Sequence, residues 1–449
     1  MVVAEIILSS FITVLFEKLV SADLLKLARS ARIISQLDNW KITLSQIQAV
    51  LVDADEVSDL YNLQRLLVRG CHRLSSLPYS FAKLINMRHL DITDTPQLNK
   101  IPLWGSESKA CKFLVSLKKL EVDRCEMLVS LGEKEGHLGI SLASLKEVEL
   151  YGCKKLEHYK CSNSIERLVI WNCGSMTSLT FPTMLDLSSN IKIIHIDGCE
   201  NLEKSWLLNK FLSSLESLVV WRCDDMMSFP EGCFVYLTRL EIWNCDNIES
   251  IPDKGFGFLP LFCLKTLWIR RCKNLKSFPH EHLPSLTSLE ELKINNCPSL
   301  DYSFPCGLWP PNLRNLRIGC LNKPMSEWGV QNFPSSLVEL RLYGQNSGVV
   351  SFEDVRNTTP SSFLVPPSLT SLHIDCFEDL ESVSTGLQHL TCLEKLATWS
   401  CPKLRDLPEK LLPSLSFLRV RNCRKLEKRC RGGTGKYWPI ISQIPHLDV

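Results

Sequence analysis

Twenty cysteines are the first residues in this 449-residue chain that could do chemistry. Paired Cys-x-x-Cys ligands would bind zinc or exchange disulfides, but no such pair occurs. The other chemical constellations are incomplete. His280-Glu281-His282 lacks the i, i+4 spacing that sets two histidines on one helix face around a metal. Gly139-Ile140-Ser141-Leu142-Ala143 half-matches a nucleophile elbow, yet a strand pattern follows where the elbow needs a helix. Gly255-Phe256-Gly257 meets Pro260 too soon to open a dinucleotide-binding helix. Gly432 to Tyr437 fails as a phosphate loop, with Cys430 in place of its first glycine and Tyr437 in place of the hydroxyl that meets magnesium. The chain is expected to be no enzyme and to hold neither metal nor cofactor.

Eleven of the cysteines instead recur at one place in a repeat: Cys71, Cys125, Cys153, Cys173, Cys199, Cys223, Cys245, Cys272, Cys297, Cys401 and Cys423. The pattern is L-x-x-L-x-(I/V)-x-x-C-x-x-L. Leu63, Leu66, Val68, Cys71 and Leu74 make one copy, and Leu264, Leu267, Ile269, Cys272 and Leu275 another. About fifteen copies start near residues 63, 87, 117, 145, 165, 191, 215, 237, 264, 289, 313, 337, 369, 393 and 415. Their mean spacing of roughly 25 residues is that of leucine-rich repeats. The L-x-(I/V) step has period two, so both side chains point to one face of a short strand. Each coil buries that edge and leaves two open flanks, which only neighbouring coils can cover. The predicted fold is therefore an α/β solenoid, a horseshoe with a parallel sheet on its concave side. In it the recurrent thiols are buried inside a turn as small hydrophobes with a weak donor. The alternatives, a metal ladder or a redox switch, would need exposed thiolates. From 313 to 383 the cysteine position holds Leu321, Gln345 and Phe377, and a Ser-, Thr- and Pro-rich insert runs from Gly344 to Pro367.

A net charge of +2 argues against a nucleic-acid binder. Basic residues do gather between Arg419 and Lys436, with Glu427 as the counter-charge among them. The apolar run from Ile6 to Phe16 follows an acidic rather than a basic start and is too short to span a bilayer, so no transmembrane segment is expected. With one sequon, at Asn357, and so many unpaired-looking thiols, the expected compartment is the reducing cytoplasm.

Residues 1–56 carry no repeat. Leu8, Phe11, Leu15 and Leu19 mark one helix face, and Leu37, Trp40, Leu44, Ile47, Leu51 and Ala54 another, together predicting a short α-helical hairpin. Ser35 and Asp38 supply a start signal ahead of the second stripe. The expected organisation is a helical segment over 1–56, repeats over 57–430 and a C-terminal cap over 431–449. The start, MVVAEIILSSFITVLFEKLVSADLL and then WKITLSQIQAVLVDADE, resembles the Rx-type coiled-coil domain of plant intracellular nucleotide-binding leucine-rich-repeat disease-resistance proteins. The LxxLxIxxCxxLxSxP copies and the ending from Trp438 to His446 resemble that family's repeats and cap. One departure stands out. The family binds ADP or ATP through a switch domain between these parts. Here Ala54-Asp55-Glu56 runs straight into Val57-Ser58-Asp59-Leu60, and that domain is missing.

In the strand x-L-x-(I/V)-x, the three x residues face the open surface. Trp171, Trp221, Trp243 and Trp399 occupy the third x, Trp268 the second, and Tyr151 and Tyr343 repeat the theme. Glu121, Asp123, Glu147 and Glu149 make an acidic start to this face, and Arg419 and Arg421 a basic finish. The rings either stack on one another to hold the sheet or form a binding stripe, since Trp and Tyr are common interface anchors. The resemblance implies a third use, holding the family's switch domain shut. The expected function is recognition of pathogen-derived or host proteins in plant defence. The alternative is a regulatory or decoy partner that pairs with full-length receptors, or with itself, through residues 1–56.

Overall fold

The computed structural model describes residues 63–77, 84–101, 114–131, 142, 144–181, 190–203, 212, 214–223, 236–251, 263–329, 331–352 and 365–449. The expected helical hairpin lies outside them, as do residues 353–364 of the insert. The chain divides into two units, 1–191 and 192–449.

In the first unit, β1 (Arg65–Arg69), β2 (His89–Thr93), β3 (Lys119–Asp123), β5 (Glu147–Tyr151) and β7 (Arg167–Trp171) form one parallel ladder. On the returning segments, β4 (Ser130–Leu131), β6 (His158–Lys160) and β8 (Ser178–Thr180) form a second. The second unit carries eleven parallel strands in chain order. These are β9 (Ile193–Asp197), β10 (Ser217–Trp221), β11 (Arg239–Trp243), β12 (Thr266–Arg270), β13 (Glu291–Cys297), β14 (Asn315–Leu321), β15 (Glu339–Tyr343), β16 (Ser371–Asp375), β17 (Lys395–Trp399), β18 (Phe417–Arg421) and β19 (His446–Asp448). The last strand extends the ladder beyond the final repeat, with Leu447 opposite Leu418.

The register follows from the repeat. Leu240, Leu267, Leu292, Leu316, Leu340, Leu372, Leu396 and Leu418 stand side by side, so one row of leucines runs the length of the second unit's sheet. All eight are buried, and each contributes roughly 1.5–3 kcal/mol of apolar burial before chain entropy is subtracted. Helices are sparser than an α/β solenoid implies. Among the described residues the α-helices are Ser384–Leu387, Arg424–Cys430 and Trp438–Ile441. Turns, 3-10 pieces and short bridges such as Ser250 with Ser277 build the rest of the return path.

Each cysteine-bearing strand ends in a left-handed residue immediately before the thiol. Gly70, Arg124, Gly152, Asn172, Gly198, Arg222, Asn244, Arg271, Asn296, Ser400 and Asn422 all have φ between 50° and 64°. The turn lets the strand's ladder gain one more bond, as when Arg124 N–H donates to Tyr151 O (2.8 Å) and Asn244 N–H to Arg270 O (2.9 Å). It also aims each cysteine Sγ at the carbonyl two residues back, at 3.3 Å for Cys245 to Trp243 and 3.5 Å for Cys272 to Arg270. All eleven thiols make this contact and all eleven are buried. The three-residue step from Cys to Leu is then one tight turn, closed for instance by Leu156 N–H on Cys153 O (3.1 Å). Phe377 fills the cysteine position in its copy because Gly344 lies beneath the ring, where a Cβ would fall 2.1 Å from it.

Burial pushes the Cys125 thiol up to about 12, and that of Cys223 well above its usual value. No described cysteine is in a disulfide. Native alkylation followed by mass spectrometry is expected to label Cys263, Cys306 and Cys392, the exposed thiols among the described residues, well before Cys125 or Cys223. Early labelling of the strand-end thiols would contradict the packing role. Replacing Asn244 by Val should cost about 1–2 kcal/mol, because a β-branched residue resists the left-handed region. Gly at the same place should be nearly neutral. Urea unfolding midpoints of the two variants check this, and equal shifts would remove the turn from the account.

Candidate functional site

The pleat sets the first, third and fifth residues of a strand on the open side, and burial alternates accordingly in β10, where Ser217, Val219 and Trp221 are half-buried between buried neighbours. In the second unit this face carries a ring ladder. Trp221 and Trp243 sit opposite each other in register, with centroids 5.1 Å apart, and Trp243 and Trp268 are 5.6 Å apart. Cations cover the rings. Arg222 lies 5.8 Å from the Trp221 ring, Arg270 4.6 Å from Trp243, and Trp268 takes Arg239 at 5.2 Å and Lys293 at 3.2 Å. The indole N–H groups of Trp221, Trp243 and Trp268 are all buried, with no acceptor among the described residues.

Trp399, on the same unit's β17, is 45% exposed, and Tyr343 on β15 lies under Arg341 at 5.4 Å. In the first unit Tyr151 meets Trp171 edge-on at 6.0 Å, and Trp171 is 50% exposed. The rings thus stack on one another, and Trp171 and Trp399 face solvent.

The predicted charge gradient is weaker than the residue types suggested. Lys119 bridges Glu121 (3.5 Å) and Glu149 (3.1 Å), and Arg167 also reaches Glu149 (3.5 Å), so the acidic start is largely neutralised. At the other end Arg419 Nε donates to Asp448 (2.8 Å), and Arg421 contacts the same carboxylate. The C-terminal strand thus supplies a counter-charge that sequence spacing concealed, and Lys436 finds Glu409 at 2.5 Å. Reading missed the cations over the rings, Arg222, Arg239, Arg270 and Lys293. Aligning the copies would have placed Arg270 beside Trp243 and Lys293 beside Trp268, which the register confirms.

Over 376 residues, 81% of this chain, the sequence is 28% identical to a candidate disease resistance protein of Arabidopsis thaliana. The chain spans 24% of that relative's length. Among solved structures, an internalin of Listeria monocytogenes is 14% identical with a TM-score of 0.45, covering 83% of this chain and 90% of its own. A leucine-rich-repeat protein of Leptospira interrogans is 15% identical, also at 0.45, covering 88% and 99%. No family model matches the chain. Among the described residues no helix is long and apolar enough to cross a membrane.

The middle row of the second unit's face also holds His373, in register with Arg341. Burial, with Arg341 beside it, pushes His373 down to about 4 from an ordinary 6.5. The folded chain therefore refuses a proton that the unfolded chain accepts. Stability from this site is complete above about 6.5 and is lost as pH falls toward about 4. Urea midpoints should drop between pH 7 and pH 5, and His373→Gln should flatten that part of the slope. Identical slopes for the two proteins would show that the imidazole is not held neutral.

Proposed function

We propose that this chain is a non-catalytic protein-recognition module of plant defence, needing no cofactor, which binds pathogen-derived or host proteins through the strand face of its second unit. The observation that carries the reading is the stack of Trp221, Trp243 and Trp268 on this face, with Arg222, Arg239, Arg270 and Lys293 over the rings. A partner would cover the outer faces of the rings and the cations over them as it docked. Trp171, Tyr151, Tyr343 and Trp399 extend the aromatic surface within their own units. Similarity to a candidate disease resistance protein supports the defence context. Free thiols throughout the described cysteines fit work in a reducing cytoplasm.

The test is selection of binders for the whole chain from a displayed library of pathogen-secreted and plant cytosolic proteins. Any binder recovered should lose about 30-fold or more in affinity when Trp221 and Trp243 become Ala, as anchor residues do. Tyr302→Ala, on an exposed turn, should leave it unchanged. Equal affinity for the tryptophan variant and the native chain would remove this face from the function.

A further inference from the structure

The second unit's middle row reads Glu241, Trp268, Lys293, Arg317, Arg341 and His373 across consecutive strands β11 to β16. Three successive cations on neighbouring strands would repel one another, since strands lie about 4.8 Å apart, unless each had a counter-charge. Lys293 has Glu291 at 2.7 Å, Arg317 has Glu339 at 3.1 Å and Arg341 has Asp375 at 2.5 Å. Arg239, further along, contacts Glu241.

Arg270, in the row beside them, breaks the rule. Its Nε donates to the neutral Asn295 amide oxygen (2.9 Å), and its plane lies over Trp243. It pairs with no carboxylate among the described residues, and its terminal amino groups find no acceptor there. Burial lowers its pKa, and Arg271, Arg317 and Arg341 lower it further. Nearby, Arg317 Nε is buried without an acceptor. A guanidinium stacked on an indole keeps its edge free, and that edge matches a carboxylate in a two-bonded fork.

We propose that this face takes an acidic polypeptide segment, with one Asp or Glu carboxylate seated on the edge of Arg270 and adjacent residues lying on Trp221, Trp243 and Trp268. The segment supplies the anion that the β12 to β15 cluster lacks. The proposal rests on the recognition reading above and adds the chemistry of what is recognised. It also explains why the rings carry cations rather than aliphatic neighbours: together they form a surface both apolar and positive.

The experiment is selection of a random dodecapeptide display library on the whole chain, with Arg270→Gln and Arg270→Lys run beside it. Circular dichroism confirms that each variant is folded. Peptides selected by the native chain should be enriched in Asp and Glu by about threefold or more, consistent with charge-assisted pairing. Synthetic copies should lose about tenfold or more in affinity when their acids become Gln or when Arg270 becomes Gln. Arg270→Lys, which keeps the charge without the fork, should fall between. Selected peptides that carry no acidic excess, or that bind Arg270→Gln unchanged, overturn the proposal. If those same peptides still depend on Trp221 and Trp243, the recognition reading survives and the acidic partner does not. Binding of tripolyphosphate or a single-stranded RNA without any acidic-peptide preference also overturns it.

Discussion

A parallel ladder built from five-residue strands has one recurring difficulty. Each strand must end before its backbone groups are stranded, yet the next coil needs the pairing to persist to the turn. Here the left-handed residue after each cysteine-bearing strand resolves it. In coils such as those of Gly70, Arg124, Asn244 and Ser400 its N–H keeps donating across the ladder, while its φ swings the chain by the angle that drops the following side chain inward. The thiol that arrives there is small enough to fit and polar enough to engage the carbonyl two residues back. Leucine at the next interval of three closes the turn and re-enters the core. Strand face, thiol row and return path are all consequences of that one conformation, repeated through each unit.

The energetic balance on the open face differs from that of the core. Leu and Ile rows gain from burial with no polar group left over. The ring ladder gains from stacking, about 0.5–1.5 kcal/mol a pair, and from overlying cations, about 0.5–2 kcal/mol each. It loses about 1–3 kcal/mol for each donor deprived of water without a replacement. The unpaired donors therefore offset part of what stacking and the apolar burial of the rings contribute. The cations over the rings add direction to a surface that would otherwise be merely sticky.

Much of this was legible in the chain itself. Alternation in sequences such as SLVVW and RLEIW defines which residues face out, and the period defines which stand side by side. Hence the aromatic positions could be named from spacing. The left-handed residues were not visible, because Gly, Asn, Arg and Ser all serve there and no single type marks the place. Ion pairing was also hidden. Asp448 reaches Arg419 and Arg421 from beyond the last repeat, on a strand too short to show a period. The lone state of Arg270 depends on what Asn295, Arg317 and Arg341 do on later coils, and this is a property of register rather than of local sequence.

The repeat also loosens where the cation cluster lies. Through β11, β12 and β13 the cysteine turn is intact, with Cys245, Cys272 and Cys297 in place. In β14 the pattern shifts: Gly319 takes φ of 143°, and a Cβ there would fall 2.0 Å from the Tyr343 carbonyl oxygen. Only glycine permits that approach of neighbouring strands. With no side chain at 319, the third row has a gap between Asn295 and Tyr343, and Gly319 itself is buried beneath its surroundings. A side chain at 319 would force the strands apart, because it would run into the Tyr343 backbone. The glycine thus does for the face what the cysteine does for the core: by being small, it decides how closely neighbouring coils can pack.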